Sequence, residues 1–134
     1  MIKGFDHVAI PMIDVEAMVA FYRDLGFGVS DDYDGRVYAV QCGDNKINLH
    51  TPALWQSEKF TLRGPSAKPG CGDFCFVWAG SETDLHEALA KVGAEIEVGP
   101  VERIGGRNGG RDSGTSVYTR DPDRNLLEFI IYPD

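Results

Sequence analysis

Residues 5–26 read FDHVAIPMIDVEAMVAFYRDLG, and this stretch decides the fold. Phe5 to Pro11 is a short apolar run carrying β-branched Val8 and Ile10, the pattern of a strand. Asp14 stands as an N-cap before Val15, Met18, Phe21, Tyr22 and Leu25, which recur at the three- and four-residue steps of one buried helix face. Gly26 follows where a left-handed C-cap belongs. Downstream, GVSDDYDGRVYAVQC (28–42) turns at Asp34-Gly35, a hairpin dipeptide suited to the positive φ of a type I′ turn. A second turn at Gly43-Asp44-Asn45 leads into a strand from Lys46 to Thr51. The unit predicted is therefore strand, helix and three antiparallel strands.

The pattern then repeats. Asp73 to Trp78 is a second apolar strand, and Ser81 with Asp84 forms a capping box. Leu85, Ala88, Leu89 and Val92 make the buried stripe of a helix that Gly93 closes. Ala94–Val98, Ser116–Arg120 and Leu126–Tyr132 supply three further strands. His7 to Gly26 spans 19 residues and Asp73 to Gly93 spans 20, so two βαβββ modules agree to within one residue. Between them, prolines 52, 65 and 69 and glycines 64 and 70 break regular structure, with Trp55 and Phe60 as anchors to the body. The predicted organisation is one α+β domain: module one at 1–52, a linker at 53–70, and module two at 71–134.

Composition excludes several classes. With 43% of its 134 residues hydrophobic, the chain has the apolar mass to fold, and it is not a disordered tail. No run approaches the ~20 apolar residues of a membrane-spanning helix. The formal charge of −8 opposes nucleic-acid binding, which draws its affinity from Lys and Arg on phosphates. Cys42, Cys71 and Cys75 are an odd set that cannot all pair, and the first residues lack a signal-peptide core, so a reducing cytoplasm is expected.

The segments FDHVAIPMIDVEAMVAFYRDLGF and YTRDPDRNLLEFIIY, with GDNKINLH and GCGDFCFVW between them, resemble the vicinal oxygen chelate superfamily. This is the superfamily of glyoxalases, bleomycin-resistance proteins and extradiol dioxygenases, and the look is closest to the branch of glyoxalase domain-containing protein 5. The resemblance implies two βαβββ modules wrapped into a half-open barrel around a divalent metal, and a homodimer. It also implies metal ligands on the first and fourth strands of each module. His7 falls on the first-strand position and Glu128 on the last-strand position. In module two, Asp73 stands where histidine is usual, as a ligand or as a strand cap. In module one the fourth-strand place falls to Asn48 or His50, which share a face; imidazole, the better ligand, favours His50.

Such a set of imidazoles and carboxylates suits Mn, Fe, Ni, Zn or Mg rather than a cysteine-rich structural zinc site. Glu128 inside an apolar run is costly unless paired or metal-bound, and it is the expected general base, with Asp73 second. The loop 102–116, with five glycines and three arginines, is neither a Walker loop nor a dinucleotide fingerprint. It is either a lid that brings Arg107 or Arg111 to a substrate, with Asn48 a further substrate contact, or a solvated surface loop. Two functions fit these residues. One is a divalent-metal-dependent isomerase, lyase or related enzyme acting on a small molecule with vicinal oxygens. The other is a metal-free drug- or metabolite-binding dimer, compatible with the acidic surface and with Trp55, Phe60, Tyr118 and Tyr132. The retention of His7, His50 and Glu128 favours the enzyme.

Overall fold

The computed structural model describes all of residues 1–134 and divides into two compact units. The first holds Met1–Gly72 with Pro122–Arg124; the second holds Asp73–Asp121 with Asn125–Asp134. Each carries one four-stranded sheet and the predicted βαβββ order.

In the first unit, β1 (His7–Pro11) leads into α1 (Val15–Leu25), followed by β2 (Gly28–Asp31), β3 (Val37–Cys42) and β4 (Asn45–His50). The sheet order is β1-β4-β3-β2, with β1 parallel to β4 and the other pairs antiparallel. Both helix signals act as read. The Asp14 carboxylate accepts the Ala17 N–H, and Gly26 adopts the left-handed conformation at φ 110°. The hairpin turn also forms, with positive φ at Asp34 and Gly35. Met18, Phe21, Tyr22 and Leu25 of α1 and Ile10, Val40, Ile47 and Leu49 of the sheet make the buried core. Burying such side chains is worth roughly 1.5–3 kcal/mol each.

Two expectations are corrected. Residues 53–70 are not wholly irregular: α2 (Pro52–Trp55) forms one helical turn. Pro52 occupies the first turn, where its fixed φ suits a helix and its missing N–H costs nothing. In the second unit, β5 (Asp73–Val77) and α3 (Glu82–Lys91) appear as predicted, with the complete Ser81–Asp84 capping box. The next strand, however, does not lie at Ala94–Val98. It is β6 (Val98–Ile104), with a register shift between Val98 and Val101. Gly99 makes that irregularity possible: its φ is 114°, and a Cβ there would lie 2.6 Å from the Ser116 carbonyl oxygen. A bulge tolerates the Gly-Pro pair that otherwise reads as a strand end.

Strands β7 (Ser113–Arg120) and β8 (Leu126–Ile131) complete the order β5-β8-β7-β6. The glycine-rich connection shrinks to 105–112, because strands claim both its ends. Leu85 and Leu89 of α3 and Val117, Leu127 and Phe129 of the sheet are buried. The turn before β8 is structural. Asp121 accepts from the Asn125 backbone and side chain, while the Asp123 carboxylate accepts from the N–H groups of Ile13 and Asp14 at 2.7 and 3.1 Å. All three cysteines are free, and no helix is long and apolar enough to cross a membrane.

Candidate functional site

Strand alternation sorts the side chains of each sheet into an apolar and a polar face. On the polar face of the first unit, β1 presents His7 and Ala9, and β4 presents Lys46, Asn48 and His50. His7 is half exposed, and its Nδ1–H donates to the Asp6 carboxylate at 2.6 Å. That bond orients the ring and leaves Nε2 as the lone-pair nitrogen, the arrangement in which a carboxylate prepares histidine for a metal. Sequence reasoning passed over Asp6, although the adjacent Asp-His pair was its signal.

The duplicated register separates Asn48 from His50. His7 lies opposite Lys46 and Asp73 opposite Leu126. Two residues further along each sheet stand Asn48, opposite Ala9, and Glu128, opposite Cys75. Asn48 is thus the counterpart of Glu128, and its buried Oδ1 has no hydrogen-bond partner. His50 lies one inward step beyond, opposite Pro11, with its ring edge-on to Phe60 at 5.3 Å. It is 9% exposed. Burial, then the Arg63 charge, holds its imidazole below the ordinary histidine range. His50 is therefore a neutral ring under an aromatic cover.

The cover is the segment after β4. Trp55 Nε1 donates to the Met12 carbonyl at 2.9 Å, and the Arg63 guanidinium sits 5.6 Å from the Trp55 ring centre. Trp55 and Phe60 are anchors, as the sequence predicted.

In the second unit, Glu128 is half-buried on β8 beside Cys75 of β5 and Tyr118 of β7. Ser116 Oγ donates to Glu128 Oε2 at 2.6 Å. The Cys75 thiol is pushed up to about 12 by burial, then by the Glu128 charge, its hydrogen bond to Glu128, and the Asp73 charge. Asp73, Cys75 and Glu128 therefore form one neighbourhood, with Asp73 exposed at the strand start. No group of three or more histidine, cysteine or acidic side chains comes together as a cluster that could hold a metal ion. The donor chemistry of each unit nevertheless suits a hard or borderline cation: an oriented imidazole with an orphaned amide oxygen in the first, two carboxylates in the second.

Arg107 and Arg111 lie elsewhere in the second unit. With Asp112, Ser113 and Tyr132 they line an open cleft of about 560 Å³ that does not include Glu128. Arg107 pairs with Asp112 at 2.6 Å and lies 4.1 Å from the Tyr132 ring centre. Arg111 donates to Asn108, whose amide in turn donates to Asp112. The Asn108 and Arg107 hydrogen bonds hold the Asp112 carboxyl below its usual range. The loop is braced by its own side chains. His86 is 3.7 Å from Glu82, one turn back on α3.

Residues 4–129 match the model of the Glyoxalase/Bleomycin resistance protein/Dioxygenase superfamily, and the chain belongs to it. It is 34% identical over 133 residues to the glyoxalase domain-containing protein RDO1 of Mycosarcoma maydis, covering 99% of this chain and 70% of that protein. It is 32% identical over 133 residues to virulence protein STM3117 of Salmonella typhimurium, covering 98% of this chain and 86% of the other. The crystal structure of STM3117 superimposes with a TM-score of 0.83, covering 99% of each chain at 30% identity. An integron cassette protein from the mobile metagenome of Vibrio cholerae gives 0.84 at 29% identity, over 99% of this chain and 98% of that one. The two-sheet α+β architecture is the fold of this superfamily.

Proposed function

We propose that the protein is a divalent-metal-dependent enzyme acting on a small molecule with adjacent oxygens, by isomerase, lyase or related chemistry. The observation that carries this reading is the buried Oδ1 of Asn48, an acceptor without a donor on the same face as the oriented imidazole of His7. An orphaned acceptor of this kind costs about 1–3 kcal/mol, which a cation would recover. The donors proposed are His7 with Asn48 from the first unit, and Asp73 with Glu128 from the second; the register favours Asn48 over His50 for this role. A bound divalent ion would supply Lewis-acid stabilisation of negative charge on the substrate oxygens. Glu128 moves the proton, its carboxylate fixed by the Ser116 hydroxyl, and Asp73 is the second acid–base group. His50 and Phe60 exclude water from the inner end of β4.

The proposal extends to a homodimer in a reducing compartment. Elemental analysis and turnover assays on small oxygenated electrophiles test it. Wild type is expected to retain Mn, Fe, Ni, Zn or Mg and to lose activity on chelation, and His7→Ala to lose the metal. Equal metal content in wild type and His7→Ala overturns the assignment. Ligand binding untouched by chelation, with no turnover, favours the metal-free binding protein.

A further inference from the structure

Arg63 stands apart from the ion-paired cations of the chain. Arg107 is answered by Asp112, Arg120 by Glu97 and Lys46 by Asp32. Arg63 is half-buried and has no carboxylate within 4.0 Å, in a chain whose acidic residues outnumber its basic ones 21 to 13. A half-buried guanidinium in such surroundings without a counter-charge is an electrostatic vacancy for an anion.

Its geometry is prepared for one. The guanidinium lies against the Trp55 ring, and one Nη2–H is tied to the Ala67 carbonyl at 2.6 Å. Arginine carries five N–H donors in a planar fork, so most of the fork is still available for a bidentate oxyanion. Trp55 is itself fastened to the Met12 carbonyl, and the fork is therefore held before any ligand arrives. Phe60, three residues before Arg63, packs edge-on against His50 at 5.3 Å, and His50 stands next to Asn48 on the same face of β4.

We propose that Arg63, backed by Trp55, is an oxyanion-binding residue, so that the substrate is a small carboxylate or phosphoryl compound. The inference rests on the small-molecule reading above and deepens it by naming the substrate class. It assigns the anion to the segment after β4, and not to Arg107 of the glycine-rich loop, whose charge is already met by Asp112.

Fluorescence titration of the full chain tests this, because Trp55 is one of only two tryptophans. Lactate, methylphosphonate and uncharged lactamide are the probes, each added to chelated and to Mn-loaded protein. Wild type should bind lactate or methylphosphonate saturably and lactamide at least tenfold more weakly; whichever anion binds tighter distinguishes carboxylate from phosphoryl recognition. Arg63→Gln should lose roughly ten- to a hundredfold in affinity, Arg63→Lys less, and Arg107→Gln nothing. Lactamide binding as tightly as lactate in wild type overturns the proposal without recourse to any variant, as does unchanged affinity in folded Arg63→Gln. Anion binding that survives chelation in a protein without metal-dependent activity upholds Arg63 and sinks the metal reading. Metal-dependent turnover indifferent to Arg63→Gln does the reverse.

Discussion

The Ser116 hydroxyl donates to Glu128 Oε2 across 2.6 Å, from a residue wholly shielded from solvent to a carboxylate on the neighbouring strand. The bond fixes which rotamer Glu128 adopts and makes one of its oxygens a permanent acceptor. Glu128→Gln keeps the shape of the side chain while removing its charge and its basicity. It is expected to lower turnover by at least about a hundredfold, in the range of general-base loss, with the melting temperature little changed. Ser116→Ala should give a smaller loss, measured alongside it.

Cys75 is exposed as a residue yet chemically quiet. With its thiol raised to about 12, little thiolate exists near pH 8, while Cys71 is exposed and free. Timed iodoacetamide labelling followed by peptide mass mapping should find Cys71 modified first. Glu128→Gln should speed the labelling of Cys75, since it removes the negative charge that favours the protonated thiol.

His50 ties stability to pH. Its folded-state pKa lies below the ordinary 6.5 because burial and Arg63 both disfavour the imidazolium. The unfolded chain therefore binds the proton more readily, so this contribution is fully present above 6.5 and is lost as pH falls through the lower folded value. Urea unfolding at a series of pH values should show the loss, and His50→Gln should flatten it. In NMR titration, the His50 resonance should move up toward the ordinary range in Arg63→Gln.

Asp123 holds the entry to α1 from far along the sequence. Its carboxylate receives the N–H groups of Ile13 and Asp14, and Asp123→Ala strands both. The expected cost is about 2–3 kcal/mol in denaturant unfolding, with Asp123→Asn in between. A change below about 0.5 kcal/mol for Asp123→Ala would refute the assignment of this contact as a structural one.

Much of this architecture was legible because its signals are local. Asp14, Gly26, Ser81, Asp84 and the Asp34-Gly35 turn each act within a few residues, and the two halves of the chain repeat them in order. The failures were non-local. β6 passes through Gly99 and Pro100 because β7 offers the room for a bulge, which no window around Pro100 reveals. Asn48 and His50 obey the same alternation, so only the pairing of β4 with β1 tells them apart. His7 and Glu128 entered as candidates through the motifs that carry them. Arg63 was not, since its significance lies in the carboxylate that it lacks, and a missing partner leaves no trace in sequence.

The counterpart relation of Asn48 and Glu128 has a stereochemical consequence. A carboxamide neither gives nor takes a proton near neutral pH, so the duplicated scaffold carries a base at one of its two equivalent stations and an inert amide at the other. On the proposed reading, with Glu128 as the base, the chemistry is handed although the fold is repeated. Deuterium from solvent should therefore enter a prochiral substrate carbon at a single one of its two hydrogens.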